Sequence, residues 1–343
     1  MADAHLYLPD GLPEALLEAE DLEVLRALGR PTLIRLPGSG QQPPRAISAL
    51  LHGDEVTGLQ AVLKILRRRR TYPFDLYVLL GNVPAALADH GFAHRYLDDQ
   101  EDFNRVWGGS GDTPLRQAAA EILDRLRGCG LESLVDVHNN TGDNPFYAIV
   151  TRRRPEVLNL ATLFTTTLLY WDLGANTLME ALEDECASIA VECGLPGRPE
   201  SLAFAVDALR RYLGEPALRA DRVVRDHELL GDLRKVVVRE GVRFRFGGGV
   251  SDDIDLALAA DADVHNFVEV PAGHTLGMVR PGAPVPVRAT DATGTDVTDR
   301  YFAVRDGALV TTVAATPVMM TRTVEAARKD CLFYLAGGLP DAG

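Results

Sequence analysis

Through the first two-thirds of the chain, short runs that are almost wholly apolar alternate with stretches whose apolar residues recur every three or four positions. The first kind suits strands buried on both faces of a sheet, the second amphipathic helices. Residues 13–28 (PEALLEAEDLEVLRAL) predict a helix, and residues 31–37 (PTLIRLP) a strand closed by Gly38-Ser39-Gly40. Residues 46–51 (AISALL) form the next buried strand. Beyond His52-Gly53-Asp54-Glu55, the spacing of Val56, Leu59, Val62, Leu63 and Leu66 predicts a helix ending in Arg67, Arg68, Arg69 and Arg70. Cations favour a helix C-terminus, so these arginines read as a solvated helix end. Strands are expected over 76–80, 134–137 and 189–193, and helices over 115–126 and 199–213, the last stopped by Gly214. Residues 85–111 show no clear periodicity and are rich in polar and aromatic groups, a long loop of the kind that usually carries function.

After about residue 232, segments rich in Val, Phe and Thr alternate with Gly, Pro and Asp turns (GVRFRFGGGV, HNFVEVPAGHTLG, PVPVRATDATGTDV), an all-β signature. The chain therefore divides into an α/β domain over 1–232 and a smaller β domain over 233–343. The first is expected to hold a mixed, mostly parallel sheet sandwiched by helices.

Composition narrows the partners. With a formal net charge of −14 over 343 residues, the surface repels phosphate backbones and anionic lipid, which argues against nucleic-acid and membrane partners. The four cysteines (Cys129, Cys186, Cys193, Cys331) form no C-x-x-C pair and read as reduced thiols. The N-terminal stretch is acidic and lacks the apolar core of a signal peptide, so a cytoplasmic location is expected.

The chemistry gathers at strand ends, where open α/β sheets bind their ligands. His52 leaves one buried strand and Glu55 begins the following helix; His138 follows another apolar strand and opens the polar loop Asn139-Asn140-Thr141-Gly142. Two histidines and a glutamate are a set that zinc accepts while keeping a position open. From the residues alone, a metal site and ordinary loop histidines are about equally good readings. Glu192 lies in the apolar strand IAVEC, where a carboxylate is costly unless paired or protonated, and is a candidate general base. The loop from Arg95 to Arg105 (RYLDDQEDFNR) offers arginine forks suited to carboxylates or a developing oxyanion.

The ordered set HGDE (52–55), GNVPAAL (81–87), RYL…EDFNRVW (95–107), DVHNNTG (136–142) and VECG (191–194) resembles the succinylglutamate desuccinylase and aspartoacylase family, relatives of the zinc carboxypeptidases. The resemblance implies one zinc per chain, held by His52, Glu55 and His138. It implies Glu192 as general base and then general acid, and Arg95 as the group polarising the scissile carbonyl. Asn104 and Arg105 would bind the substrate carboxylate, Asp102 would orient their loop, and Asn139 would join the substrate-binding set. Asp54 stands where the family usually has Asn, and the stretch before the base, MEALEDECAS (179–188), lacks the arginine that aspartoacylases carry there. The implied reaction is hydrolysis of an amide in a small N-acyl amino acid or related N-acyl amine. A zinc exopeptidase and a non-catalytic metal-binding regulatory protein stay open as rivals, as does assembly into a homo-oligomer.

Overall fold

The computed structural model describes residues 4–216, 218, 223 and 225–339. Two compact units divide the chain: one of residues 1–139, 146–169 and 174–228, the other of 140–145, 170–173 and 229–343.

The first unit holds β1 (Leu6–Leu8), α1 (Glu14–Leu17), α2 (Asp21–Leu28), β2 (Thr32–Leu36), β3 (Arg45–Ala49), α3 (Val56–Leu66), β4 (Leu76–Leu80), α4 (Val83–Leu87), α5 (Pro114–Gly128) and β5 (Ser133–His138). It continues through β6 (Tyr147–Val150), α6 (Pro155–Thr162), β7 (Thr167–Tyr170), α7 (Leu178–Leu182), β8 (Ala187–Glu192) and α8 (Pro199–Gly214). Its strands lie in the order β1-β2-β4-β3-β5-β8-β6-β7. The centre is parallel, β4 to β3 to β5 to β8, while β2 runs antiparallel to β4 and β6 antiparallel to β8. The mixed, mostly parallel sheet expected from the apolar runs is thus present. Every residue of β3, β4, β5 and β8 is buried, as strands covered on both faces require.

The second unit contains β9 (Glu228–Val238), β10 (Phe244–Phe246), β11 (Leu256–Leu258), β12 (Thr275–Val279), β13 (Val287–Thr290), α9 (Thr298–Tyr301), β14 (Phe302–Arg305), β15 (Ala308–Thr311), β16 (Thr316–Val318), α10 (Val324–Lys329) and β17 (Phe333–Gly338). One antiparallel set of four strands runs β13-β9-β17-β16, and a separate five-stranded sheet runs β10-β11-β12-β15-β14. A core including Val236, Leu256, Phe302, Leu309 and Phe333 fills it. The β-rich pattern is realised, with two short helices that the turn-rich sequence does not announce. Among the described residues no helix is long and apolar enough to cross a membrane, and all four cysteines are free, Cys129 alone being partly exposed.

Three local expectations need correction. The single helix over 13–28 is two, because Glu20 adopts an extended backbone and closes a capping box with Glu23 that starts α2 afresh. Arg67 is not merely solvated: its Nε and Nη2 donate to the Leu17 and Ala19 carbonyls at 2.7 and 2.8 Å, pinning the α1–α2 junction. The strand over 46–51 ends at Ala49, since Leu50 turns into the left-handed region (φ 62°). That turn costs conformational energy for a branched side chain, and strained residues of this kind cluster where a chain must be redirected sharply. Here it delivers His52 beyond the strand end.

At the opposite end of β3, Arg45 is fully buried. Its Nε pairs with Glu132 at 2.7 Å, its Nη1 donates to the Tyr212 carbonyl at 2.7 Å, and its guanidinium lies 4.3 Å from the Phe74 ring centroid. A buried cation is tolerable only with such partners. Nearby, Asp75 accepts from the Gly38 N–H and from Arg35 Nε, both at 2.8 Å, tying the β2–β3 connection to the start of β4. Burial opposes charge on Asp75, but these bonds outweigh it and hold its pKa below the ordinary value. A depressed carboxyl stabilises the fold above its unfolded value of about 3.9 and loses that contribution as the pH falls through the folded value. Asp75→Asn is therefore expected to cost about 1 kcal/mol at neutral pH. Urea melts at successively lower pH should show the gap between variant and wild type closing; a gap that persists into acid would refute the assignment.

Candidate active site

The turn after β3 is built to bring three segments together. A Cβ on Gly53 would lie 2.5 Å from the Ala86 backbone nitrogen and 2.7 Å from the His94 carbonyl, so only glycine fits there. The Gly53 N–H donates to the Arg95 carbonyl at 2.9 Å, which draws the polar loop to the turn. That loop is not loose. Phe103 and Trp107 are buried in the core beneath α5, their rings 5.1 Å apart, and between them a short 3-10 turn (Phe103–Arg105) sets the direction of Asn104.

Glu55 is the meeting point. Its Oε1 lies 2.7 Å from His52 Nδ1 and its Oε2 lies 2.7 Å from His138 Nδ1. The two rings are 5.2 Å apart, centroid to centroid. All three side chains are buried, and one ligand atom from each lies within 4.8 Å of the others. Each ring is held from behind by a second carboxylate: His52 Nε2 at 3.0 Å from Asp102 Oδ1, His138 Nε2 at 2.8 Å from Asp136 Oδ2. This pattern fixes a histidine's orientation and directs its other nitrogen forward, as metal-ligating imidazoles require.

The charges agree with the geometry. Burial and Arg95 oppose a proton on His52, yet Glu55 and Asp102 raise its pKa. Burial also opposes charge on His138, but Asp136 and Glu55 lift it well above the usual histidine value. Burial would raise the Glu55 carboxyl, and the two imidazoles instead hold it below the carboxylate range. The cluster thus calls for positive charge among its donor atoms. Two imidazole nitrogens and a carboxylate, buried and oriented from behind, fit a divalent cation of the zinc type.

Glu192 ends β8 in register with His138 on β5. Burial, with Glu55's charge adding to it, pushes its carboxyl up to about 7, against the pull of His138, His52 and Arg95. Arg95 reaches the same cluster, its Nε 3.2 Å from Asp102 Oδ2 and its Nη1 3.6 Å from Glu55 Oε1. Asp102 also accepts from the Asn104 N–H at 2.8 Å.

Asn104 is buried, its Oδ1 accepting from the Leu178 N–H at 3.1 Å and its Nδ2 lying 3.2 Å from His138 Nε2. Arg105 Nη1 donates to the Asn104 carbonyl at 2.8 Å. Asn139 is buried too, its side chain bonded to Thr57 N and the Gly194 carbonyl. All nine residues singled out in the sequence therefore lie in the first unit at or beside the Glu55 cluster, but both asparagines spend polar groups on the protein itself.

Asp136 was not singled out; its two-residue spacing from His138 puts both side chains on one face of a strand, a signal available in the sequence. Asp54, one residue before Glu55, has a buried Oδ1 without a protein partner among the described residues, and burial raises its carboxyl. The acidic stretch before Glu192 is spent on the scaffold. Glu180 completes a capping box on α7, Glu183 and Asp184 pair with Arg152, and Glu185 pairs with Arg127.

The α/β fold of this chain has counterparts among known proteins. Residues 41–185 match the model of the succinylglutamate desuccinylase/aspartoacylase catalytic domain. That match spans 41–185 of the 343 residues. Solved structures share the fold. A succinylglutamate desuccinylase/aspartoacylase from Rhodobacter sphaeroides superimposes with TM-score 0.57 at 15% identity, over 90% of this chain and 88% of that one. Murine aminoacylase 3 gives TM-score 0.52 at 16% identity, over 87% of this chain and 96% of its own. The succinylglutamate desuccinylase of Chromobacterium violaceum gives 0.50 at 20% identity, over 81% and 88%. None of the curated protein sequences matches the chain.

Proposed function

We propose that this protein is a zinc-dependent amidohydrolase that removes the acyl group from a small N-acyl amino acid or related N-acyl amine. The observation that carries the proposal is the convergence of His52, Glu55 and His138 on one buried point, with a carboxyl of raised pKa, Glu192, ending the adjacent strand. The match of residues 41–185 to a catalytic-domain model named for two deacylases supports the reaction class.

In this reading His52 Nδ1, Glu55 and His138 Nδ1 hold the ion, and Asp102 and Asp136 fix the two rings. When bound, the ion supplies Lewis acidity that activates water and polarises an amide carbonyl. Glu192 accepts the proton of the attacking water and passes it to the departing nitrogen, so amide and water become carboxylate and amine. Burial raises its carboxyl above the ordinary value, which favours its taking up the water's proton. Arg95, braced by Asp102, places positive charge where the carbonyl oxygen becomes anionic. Arg105 binds the carboxylate of the amino-acid part. Asp54 in place of the usual Asn, and the engagement of residues 180–185 with their own scaffold, favour a substrate without a second carboxylate at that end. The acidic composition and free cysteines suit a small-molecule hydrolase of the cytoplasm.

Elemental analysis is expected to find about one zinc per wild-type chain and none in His138→Ala, because the remaining pair of ligands is too few for a catalytic site. Wild type that takes up no zinc after reconstitution would sink the ligand assignment. Glu192→Gln is expected to retain zinc while its turnover of an N-acyl amino acid hydrolysed by the wild type falls by about a thousandfold, the scale of general acid–base catalysis. Undiminished hydrolysis by that variant would remove Glu192 from the reaction.

A further inference from the structure

The helix that carries Glu55 has a problem at its N-terminus. Glu55 is the N-cap of α3, yet its side chain makes no cap hydrogen bond. Its two carboxylate oxygens face His52 and His138 instead. A helix start normally needs a side-chain acceptor for its free N–H groups. The acceptor comes from the residue just beyond β5: Asn139 Oδ1 accepts from the Thr57 N–H at 3.1 Å. The same amide donates through Nδ2 to the Gly194 carbonyl at 2.7 Å, just beyond the end of β8. The Asn139 backbone N–H donates to Glu55 Oε2 at 3.1 Å. Alongside, the Cys193 N–H donates to the His138 carbonyl at 2.9 Å, continuing the β5–β8 ladder.

We propose that Asn139 is the positioning residue of this site, one buried amide that sets the β3–α3 turn, the end of β5 and the end of β8 relative to one another. Resting on the reading of His52, Glu55 and His138 as metal ligands, it assigns Asn139 to the architecture of the centre rather than to substrate contact. The chemistry selects asparagine. One planar group must accept from a helix N–H on one side and donate to a carbonyl on the other, and both groups are too buried to turn to water. Aspartate keeps the acceptor for Thr57 but places an oxygen against the Gly194 carbonyl. Alanine leaves both backbone groups unpaired. Glu55 is occupied with the imidazoles and could cap α3 only by drawing its carboxylate away from them.

The test uses the full chain with zinc and cobalt(II) as probes, and Asn159→Ala on α6 as a buried-asparagine control. Asn139→Ala is expected to weaken zinc binding by about 10- to 100-fold, the usual effect of removing a residue that orients metal ligands. It should also change the visible absorption of the cobalt form and speed hydrogen exchange at the Thr57 amide. Asn159→Ala should leave zinc affinity and the cobalt spectrum at wild-type values even where its melting temperature drops as far. Asn139→Asp, which serves if the alanine variant does not fold, should keep Thr57 protected and still show an altered cobalt spectrum. Wild-type zinc affinity and cobalt spectrum in both Asn139 variants would overturn this inference and leave the proposed function standing. A wild type that binds neither metal would overturn both.

Discussion

A single carboxylate shared by two imidazoles organises the rim of the sheet where β3 and β5 end. Glu55 is buried, and burying an isolated carboxylate costs several kcal/mol. The cost is offset because each oxygen meets a ring nitrogen at 2.7 Å and one also accepts the Asn139 N–H. The rings in turn need carboxylates behind them, which Asp102 and Asp136 provide. Much of the local backbone follows from holding that cluster. Leu50 accepts a left-handed conformation, Gly53 allows the 94–95 segment to approach, and Phe103 with Trp107 roots the loop that carries Asp102 in the core.

The same constraint explains why these side chains were legible in the sequence. A histidine or glutamate directly after a run such as AISALL or LVDV has no packing purpose, so its chemistry stands out. Fully buried strands are easy to read for the same reason, and residues 76–80 were expected as the strand they form. Residues 143–186 were harder. β6, β7 and α7 are four or five residues each, too short for periodicity to separate strand from helix. The helix over 13–28 divides at Glu20, where a local capping box restarts it and Arg67, far along the chain, fixes the Leu17 and Ala19 carbonyls. Asn139 shows the limit most clearly. The family resemblance implied a substrate contact for it, whereas its side-chain partners, Thr57 and Gly194, offer backbone groups distant in sequence that no pattern of side chains reveals.

Acidic residues in this chain divide into those that serve the cluster and those that serve the scaffold. Asp102 and Asp136 stand behind imidazoles, while Glu132 neutralises Arg45 and Glu183 to Glu185 engage Arg127 and Arg152. Surface pairs of the second kind contribute little individually. Their value is that they tie the α7–β8 junction, and so the strand bearing Glu192, to neighbouring elements without introducing a cation near the base.

β3 is anchored at its start by the Arg45 guanidinium, wedged between Phe74, Tyr212 and Glu132, and it releases His52 five residues of strand and a sharp bend later. The foundation and the reactive rim are therefore separate investments along one strand. Residues at the rim can drift in size and polarity without spending the reserve that keeps the sheet assembled. A lineage built this way can explore new acyl and amine groups by changing loops alone, and a protein engineer could do the same while leaving the buried arginine and its aromatic collar untouched.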